Sequence, residues 1–278
     1  MRTIDSKAVS SAVSGLCLKA NRELRPDVLK ALKKALAKER SALAVTAFKQ
    51  IIENARLAKA QGLPICQDTG FPVVFCRLGR EAMVKGDLAA AIQKGIVRGY
   101  RQGALRASIV ADPLGRGKSS FGPGIIHLEF SAGNRLKLDL LPKGFGCENK
   151  TSLKMFNPTA GTSEILNFIV ETVRAAGGDA CPPYVVGVGI GGTPEFAGLL
   201  AKKALLAPVG KKSAGKSAEK LAVKALTVIN ALSIGPMGLG GRTTCLGVNV
   251  ETFPTHIAGL PVAVSVSCHA LRSASVTL

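Results

Sequence analysis

Apolar runs with helical spacing alternate along this chain with short strand-like runs, and glycine or proline closes most of them. That alternation is what most narrows the fold. Residues 26–62 read as helix, with Val28, Leu29, Leu32 and Leu36 on one face, continued by Leu43, Phe48, Ile51, Ile52 and Ala55 until Gly62 and Pro64 stop it. A strand follows over 73–78, and Asp87 caps a helix through Tyr100 that ends at Gly103. Two strand-like runs, 124–130 and 135–141, are joined through Gly133-Asn134, which predicts a hairpin turn. Beyond these come a helix over 162–176 closed by Gly177-Gly178, a strand over 184–190, and a helix starting near Pro194. Segment 208–232 reads as a lysine-rich linker and another helix, and strands over 243–250 and 260–267 follow a glycine loop at 235–241. Such intermingling predicts an α+β or α/β class, with mixed sheets flanked by helices, in one domain over 1–278 that can carry two subdomains.

The 278 residues are 47% hydrophobic and 20% charged, enough for a substantial core. No run of eighteen uninterrupted apolar residues occurs, and the first residues lack the basic-then-apolar layout of a signal peptide. The expectation is a soluble, cytoplasmic protein with no membrane partner. Its charge is the compositional outlier: 37 basic against 18 acidic residues give +19, which calls for an anionic partner. That partner is nucleic acid, an acidic subunit or a small polyanionic substrate. With no Trp, two Tyr and basic residues spread along the chain, nucleic acid is the least favoured of the three. The densest basic run (Lys202, Lys203, Lys211, Lys212, Lys216, Lys220 and Lys224) reads as a solvated helical face.

Seven cysteines at wide, irregular spacing, none in a Cys-x-x-Cys pair, exclude a secreted disulfide scaffold and argue against a zinc ribbon. Cys17, Cys76 and Cys245 sit inside apolar runs, where a cysteine is most often a small buried hydrophobe. Cys66, Cys181 and Cys268 lie at element ends, and Cys147 stands in the glycine-containing segment 143–150 as a fourth candidate. Element ends in a mixed sheet can converge, so these positions can bring thiolates together. Around the first of them, Cys66-Gln67-Asp68-Thr69 packs a thiol, an amide, a carboxylate and a hydroxyl between Pro64 and Gly70. The alternative is a plain turn in which Asp68 and Thr69 bond their own backbone.

Two nucleotide motifs give only weak signals. Gly187-Val188-Gly189-Ile190-Gly191-Gly192 satisfies Gly-x-Gly-x-x-Gly, but some twenty residues on, where an acidic residue should end a second strand, the chain has Lys211-Lys212. Gly117-Lys118-Ser119 would need glycine at position 112, which is Asp112.

Several blocks carry a resemblance: Ile65-Cys66-Gln67-Asp68-Thr69-Gly70, Glu148-Asn149-Lys150-Thr151, Cys181-Pro182-Pro183-Tyr184 with Gly191-Gly192, and Leu260-Pro261-Val262 leading to Cys268. In this order, from about residue 60 onward, the chain resembles the class I (iron–sulfur) fumarases and the α subunit of L-tartrate dehydratase. The resemblance implies a [4Fe-4S] cluster held by Cys66, Cys181 and Cys268, with one iron open to act as a Lewis acid on a dicarboxylate substrate. It also implies that Gln67, Asp68, Arg106, Gly146 and His256 bind substrate, Gly146 through its backbone, with Asp68 and His256 as catalytic candidates. Read without the resemblance, Arg106 is a surface arginine and His256 a polar turn residue.

Three departures stand out. The family's Asn-Thr-Gly-rich segment is missing around 115–122, Cys147 replaces a frequent serine, and the chain stops where single-chain fumarases continue. The last departure matches the two-subunit forms and implies a β subunit carrying the remaining substrate and base residues. The expected reaction is interconversion of malate and fumarate, with L-tartrate dehydration as the alternative. A metal-free, basic dinucleotide- or nucleic-acid-binding protein is the alternative of another class.

Overall fold

The computed structural model describes residues 2–278. In chain order it opens with β1 (Arg2–Asp5), α1 (Ser6–Arg22), α2 (Pro26–Lys38), α3 (Ala42–Gln61), β2 (Phe71–Gly79), β3 (Ala82–Lys85) and α4 (Leu88–Gln102). There follow β4 (Ile109–Asp112), β5 (Arg116–Ser120), β6 (Ile125–Ser131), β7 (Leu136–Lys143), α5 (Phe145–Glu148), β8 (Ser152–Phe156) and α6 (Thr162–Ala176). The last third holds β9 (Tyr184–Gly192), α7 (Pro194–Ala204), α8 (Lys216–Ala231), a 3-10 turn (Pro236–Gly238), β10 (Cys245–Thr255), β11 (Leu260–Ser267) and β12 (Ala274–Thr277). The α+β class is therefore as expected. The chain divides into two compact units, the first built from the stretch up to Arg25, Ala55–Phe145 and Arg272–Leu278, the second from Pro26–Asn54 and Gly146–Leu271.

In the first unit a four-stranded sheet of order β12-β7-β2-β6 packs against α1 and α4. The hairpin expected at Gly133-Asn134 is not formed: β2 lies between β6 and β7, parallel to the former and antiparallel to the latter. The turn instead wraps the end of β2, where the Gly79 amide donates to Arg135 O at 2.8 Å and the Glu81 amide to Gly133 O at 3.0 Å. Burial explains the order. β2 and β7 are buried over most of their length and take the inner places, whereas β6 exposes every second or third residue and suits an edge.

Helix α1 was not foreseen, and it explains Cys17. A Cβ on Gly95 of α4 would fall 2.6 Å from Ser10 O, and one on Gly99 would fall 2.7 Å from the Cys17 Cβ. Glycine at these two positions lets the helices touch almost backbone to backbone. Cys17 is fully buried in that seam, where burial pushes its thiol up to about 12.

The second unit is a three-layer arrangement around a sheet of order β10-β9-β11-β8, in which β9 and β10 are parallel and β11 antiparallel to β9 and β8. Period-two alternation sorts the faces. Val186, Val188, Val248, Val250, Val262, Val264 and Val266 meet α6 and α8, while Ala263 meets Ala197 and Ala201 of α7. The glycines of the Gly-x-Gly run belong to this second face. A Cβ on Gly187 would lie 2.1 Å from Ala201 O, and one on Gly189 would lie 2.1 Å from Ala197 O. They are there so that α7 can lie against β9, which removes the reason to read them as a phosphate cradle. Gly189→Ala is expected to cost roughly 1–3 kcal/mol of stability by overpacking. Gly198→Ala, on α7 with open space at the Cβ, is expected to be neutral or to gain up to about 1 kcal/mol. Urea denaturation of both variants checks the pair, and equal stabilities would refute the steric account.

The single helix expected over 26–62 is broken into α2 and α3. The Glu39 carboxylate turns back to accept from the amides of Arg40 at 2.8 Å and Ser41 at 3.1 Å, and also from Arg242 at 2.8 Å. Burial opposes its ionisation, but these donors outweigh burial and hold the carboxyl below its ordinary value. Segment Lys216–Gly238 is long and apolar enough by composition to cross a membrane. Its helix α8 nevertheless buries Ala218, Leu221, Ala222, Ala225 and Ile229 in the core of the second unit, which suits an amphipathic packing helix. The lysine-rich run is not uniformly solvated either, since Lys202 pairs with Glu148.

Candidate active site

In the first unit the loop after α3 is pinned from several sides. Asp68 accepts from the Gly70 amide through Oδ1 at 3.0 Å and from the Phe145 amide through Oδ2 at 2.8 Å. Its carbonyl accepts from Arg272 Nη2 at 2.7 Å. Arg272 is buried, and its Nη1 donates to Asn21 Oδ1 at 3.2 Å. Asn21 in turn accepts from the Ile65 amide at 2.8 Å through its main-chain oxygen. Tyr100 places its hydroxyl 3.0 and 2.8 Å from the carbonyl oxygens of Thr69 and Gly70. Burial raises that phenol well above its usual value and keeps it a donor. Thr69 Oγ1 accepts from the Arg106 amide at 3.0 Å, so the segment carrying Arg106 is tied to this loop.

The result is a fixed backbone with mobile-length side chains at its rim. Gln67 and Arg106 are exposed, Cys66 and Asp68 are half-buried, and Cys66 Sγ lies 3.5 Å from Gln67 Oε1. The turn reading of Asp68 is thus partly correct, because the carboxylate does bond its own loop. It also reaches 77 residues along the chain to Phe145, just before Gly146. Gly146 is exposed, and a Cβ there would meet nothing within 4 Å, so the backbone faces open space.

In the second unit Cys181 and Cys268 come together. The His269 amide donates to Cys181 O at 3.2 Å, and His269 Nδ1 lies 3.0 Å from the same oxygen, which seats the end of β11 against the residue that precedes Pro182. Cys181 has φ +57, a left-handed conformation that costs a non-glycine residue about 1 kcal/mol or more. The glycine loop at 235–241 backs it, with the Met237 amide donating to Pro182 O at 2.8 Å. Thr244, fully buried, accepts the Ile234 amide at 3.0 Å and holds the start of that loop. Cys147 is buried nearby and its thiol donates to Ala180 O at 3.3 Å.

The cysteines sort as their sequence contexts suggested. Cys17, Cys76 and Cys245 are buried, and burial pushes the last two up to about 11 and about 12. Cys66, Cys181 and Cys268 are each half-exposed. His256 is placed differently from the other expected site residues. It sits exposed in the turn before β11, with Nδ1 accepting from the Ala258 amide at 3.1 Å. The whole of β11, eight residues, separates it from Cys268. At about 3.4 Å per residue that is roughly 27 Å. Within the second unit, then, His256 and the cysteine pair lie at opposite ends of the sheet.

A family model described as fumarate hydratase (Fumerase) matches residues 10–277. The chain belongs to the fumarate hydratase family. The protein is accordingly of the hydro-lyase class, which adds or removes water. It is 39% identical over 274 residues to a Methanocaldococcus jannaschii protein provisionally named L(+)-tartrate dehydratase subunit alpha, covering 96% of each chain. It is also 29% identical over 251 residues to the L(+)-tartrate dehydratase subunit alpha of Escherichia coli K12, covering 88% of this chain and 82% of that one. The Shigella boydii protein of the same name matches to the same extent.

Membership favours the hydro-lyase reading over the dinucleotide- or nucleic-acid-binding alternative. Several residues that build the site carried no local signal. Asn21, Tyr100 and Arg272 act from α1, α4 and the segment before β12, and nothing in their neighbourhoods marks them. His269 had one clue, its position directly after Cys268.

Proposed function

We propose that this chain is the α subunit of a [4Fe-4S] hydro-lyase that removes water from a 2-hydroxydicarboxylate, with L-tartrate ahead of malate as the substrate. Malate/fumarate was the first expectation from sequence. The observation that moves the reading is the 39% identity, over 96% of both chains, to a relative whose name specifies tartrate.

The cluster is proposed on the resemblance and on the exposure of three cysteines. Among the described residues no three His, Cys, Asp or Glu side chains are grouped to hold one metal ion. A four-iron cluster takes its thiolates on different irons, so its ligands need not crowd one centre. Cys66, Cys181 and Cys268 would hold it: they are the half-exposed thiols, and two of them sit at one end of one sheet. When bound, the cluster supplies a Lewis acid for the hydroxyl that leaves.

The rest is done by the chain's own groups. Arg106 offers a guanidinium fork for a substrate carboxylate, held in place through its amide on Thr69. Gln67 offers an amide for the substrate oxygens. Asp68, oriented by two backbone donors, keeps lone pairs on both oxygens for a proton or a hydroxyl. The exposed backbone at Gly146 can approach a carboxylate directly. His256 is left out of this set because β11 carries it away from Cys268. The relatives' names include "subunit alpha", which supports a separate β subunit as partner.

The test is anaerobic co-expression with a β-type partner, followed by assays on L-tartrate, L-malate and fumarate. We expect kcat/KM for L-tartrate to exceed that for L-malate by about tenfold or more, equivalent to about 1.4 kcal/mol in transition-state stabilisation. A preference for malate and fumarate would restore the first expectation. No activity on any of the three would reject the proposed substrate class.

A further inference from the structure

The first unit contains a groove that carries several charged side chains, none of whose residues belongs to the site described above. It lies between α1 and α4, has a volume of about 490 Å³, and is lined by Ser6, Lys7, Ser10, Asp87, Lys94 and Arg98 together with two alanines. We propose that it binds a small dianionic oxyanion of the phosphate type.

Four observations converge. First, α1 and α4 run in the same direction: Gly95 abuts Ser10, Gly99 abuts Ser14 and Cys17, and Gly103 abuts Leu18. Two parallel helices in contact put their positive dipole ends side by side, where neighbouring antiparallel helices would cancel them. Second, three cations line the groove against one carboxylate. That carboxylate, Asp87, already accepts the Ala90 amide at 2.9 Å as the cap of α4, and Asp5 likewise accepts the Lys7 amide at 2.7 Å. Third, Arg98 is steadied over the groove by donating through Nη2 to Ser11 Oγ at 3.2 Å.

The fourth observation points directly to a ligand. Ser10 is only 5% exposed, and its hydroxyl has no hydrogen-bond partner among the described residues. A serine inside a helix ordinarily bonds back to the carbonyl four residues earlier, and a buried hydroxyl left without a partner is costly. An oxyanion in the groove would accept from Ser10 while Lys7, Lys94 and Arg98 balance its charge. Tetrahedral phosphate offers acceptors in all these directions at once, which a planar monocarboxylate does not.

The test uses the full chain and three variants in thermal denaturation and calorimetric titration. Inorganic phosphate is compared with chloride at matched ionic strength, and L-malate serves as the dicarboxylate arm. We expect phosphate to raise the Tm of the wild type by roughly 5 °C at a hundredfold excess over its Kd. Ser10→Ala should keep or raise the Tm without ligand, because the orphan hydroxyl is gone, and lose most of the phosphate shift. Lys94→Met and Arg98→Met should each weaken phosphate binding about tenfold or more. The proposal is overturned if phosphate acts no differently from chloride, or if Ser10→Ala retains the full shift. It is also overturned if L-malate gives the larger shift and Ser10→Ala removes it.

Discussion

Serine in place of Cys66, Cys181 or Cys268 is expected to strip the anaerobically purified protein of most of its iron and sulfide, and with them essentially all hydro-lyase activity. Serine oxygen is harder than thiolate sulfur and a poorer match for cluster iron. The same substitution at Cys17, Cys76 or Cys245 should leave the metal content unchanged. Those thiols are buried and pushed up to about 12, 11 and 12, so they are neutral, inward-facing and unfit as ligands. Cys147→Ser is the discriminating case. Its buried thiol already donates to Ala180 O, a bond that a hydroxyl can keep, so iron should be retained. Iron and sulfide analysis with absorbance near 400 nm reads all seven variants (roughly the band expected of thiolate-ligated clusters). Full iron in Cys181→Ser or Cys268→Ser would refute the ligand assignment outright.

Turnover by this chain alone is expected to fall about 10²–10⁴-fold below that of the complex with a β subunit, the usual cost of losing a general base. In the proposed site these residues would bind and polarise: Arg106 and Gln67 for carboxylates and oxygens, with Asp68 held by the amides of Gly70 and Phe145. In this reading Asp68 assists at the leaving hydroxyl, His256 lies at the far end of β11 from Cys268, and the base for the carbon-bound proton is assigned to the β subunit, as the resemblance implies. Mixing in the β subunit should restore activity. Because the chain carries a net charge of +19, that association should weaken as salt rises. Steady-state assays across a titration of partner, at low and high ionic strength, measure both effects. Full activity of the isolated chain would show that it already contains its base.

Much of the local structure was legible from sequence, because its causes are local. Asp87 caps α4 by accepting the Ala90 amide, Gly177 closes α6 with φ +55, and Pro194 opens α7, each as neighbours within four residues dictate. Even the break between α2 and α3 is local, made by a Glu39 side chain that turns back on the next two amides. It was missed because apolar spacing alone runs straight through it. Burial of the cysteines followed the same logic, since an apolar run predicts an interior face and an element end does not.

What the sequence by itself determined, then, was the kind of most major elements after α1, the separation of interior from half-exposed cysteines, and the family resemblance carried by a few short blocks. The tertiary structure decided everything that depends on distant partners. It set β2 between β6 and β7 where adjacency predicted a hairpin, and it ran α1 parallel to α4 through Gly95 and Gly99. It also brought Arg272 across 204 positions to hold Asp68, and left His256 the length of β11 away from Cys268. The physical reason is one of range. Caps, turns and periodicity act through bonds among near neighbours. Strand order and site assembly are fixed by which apolar faces and polar groups can be buried and satisfied together, and those groups are drawn from anywhere in the chain.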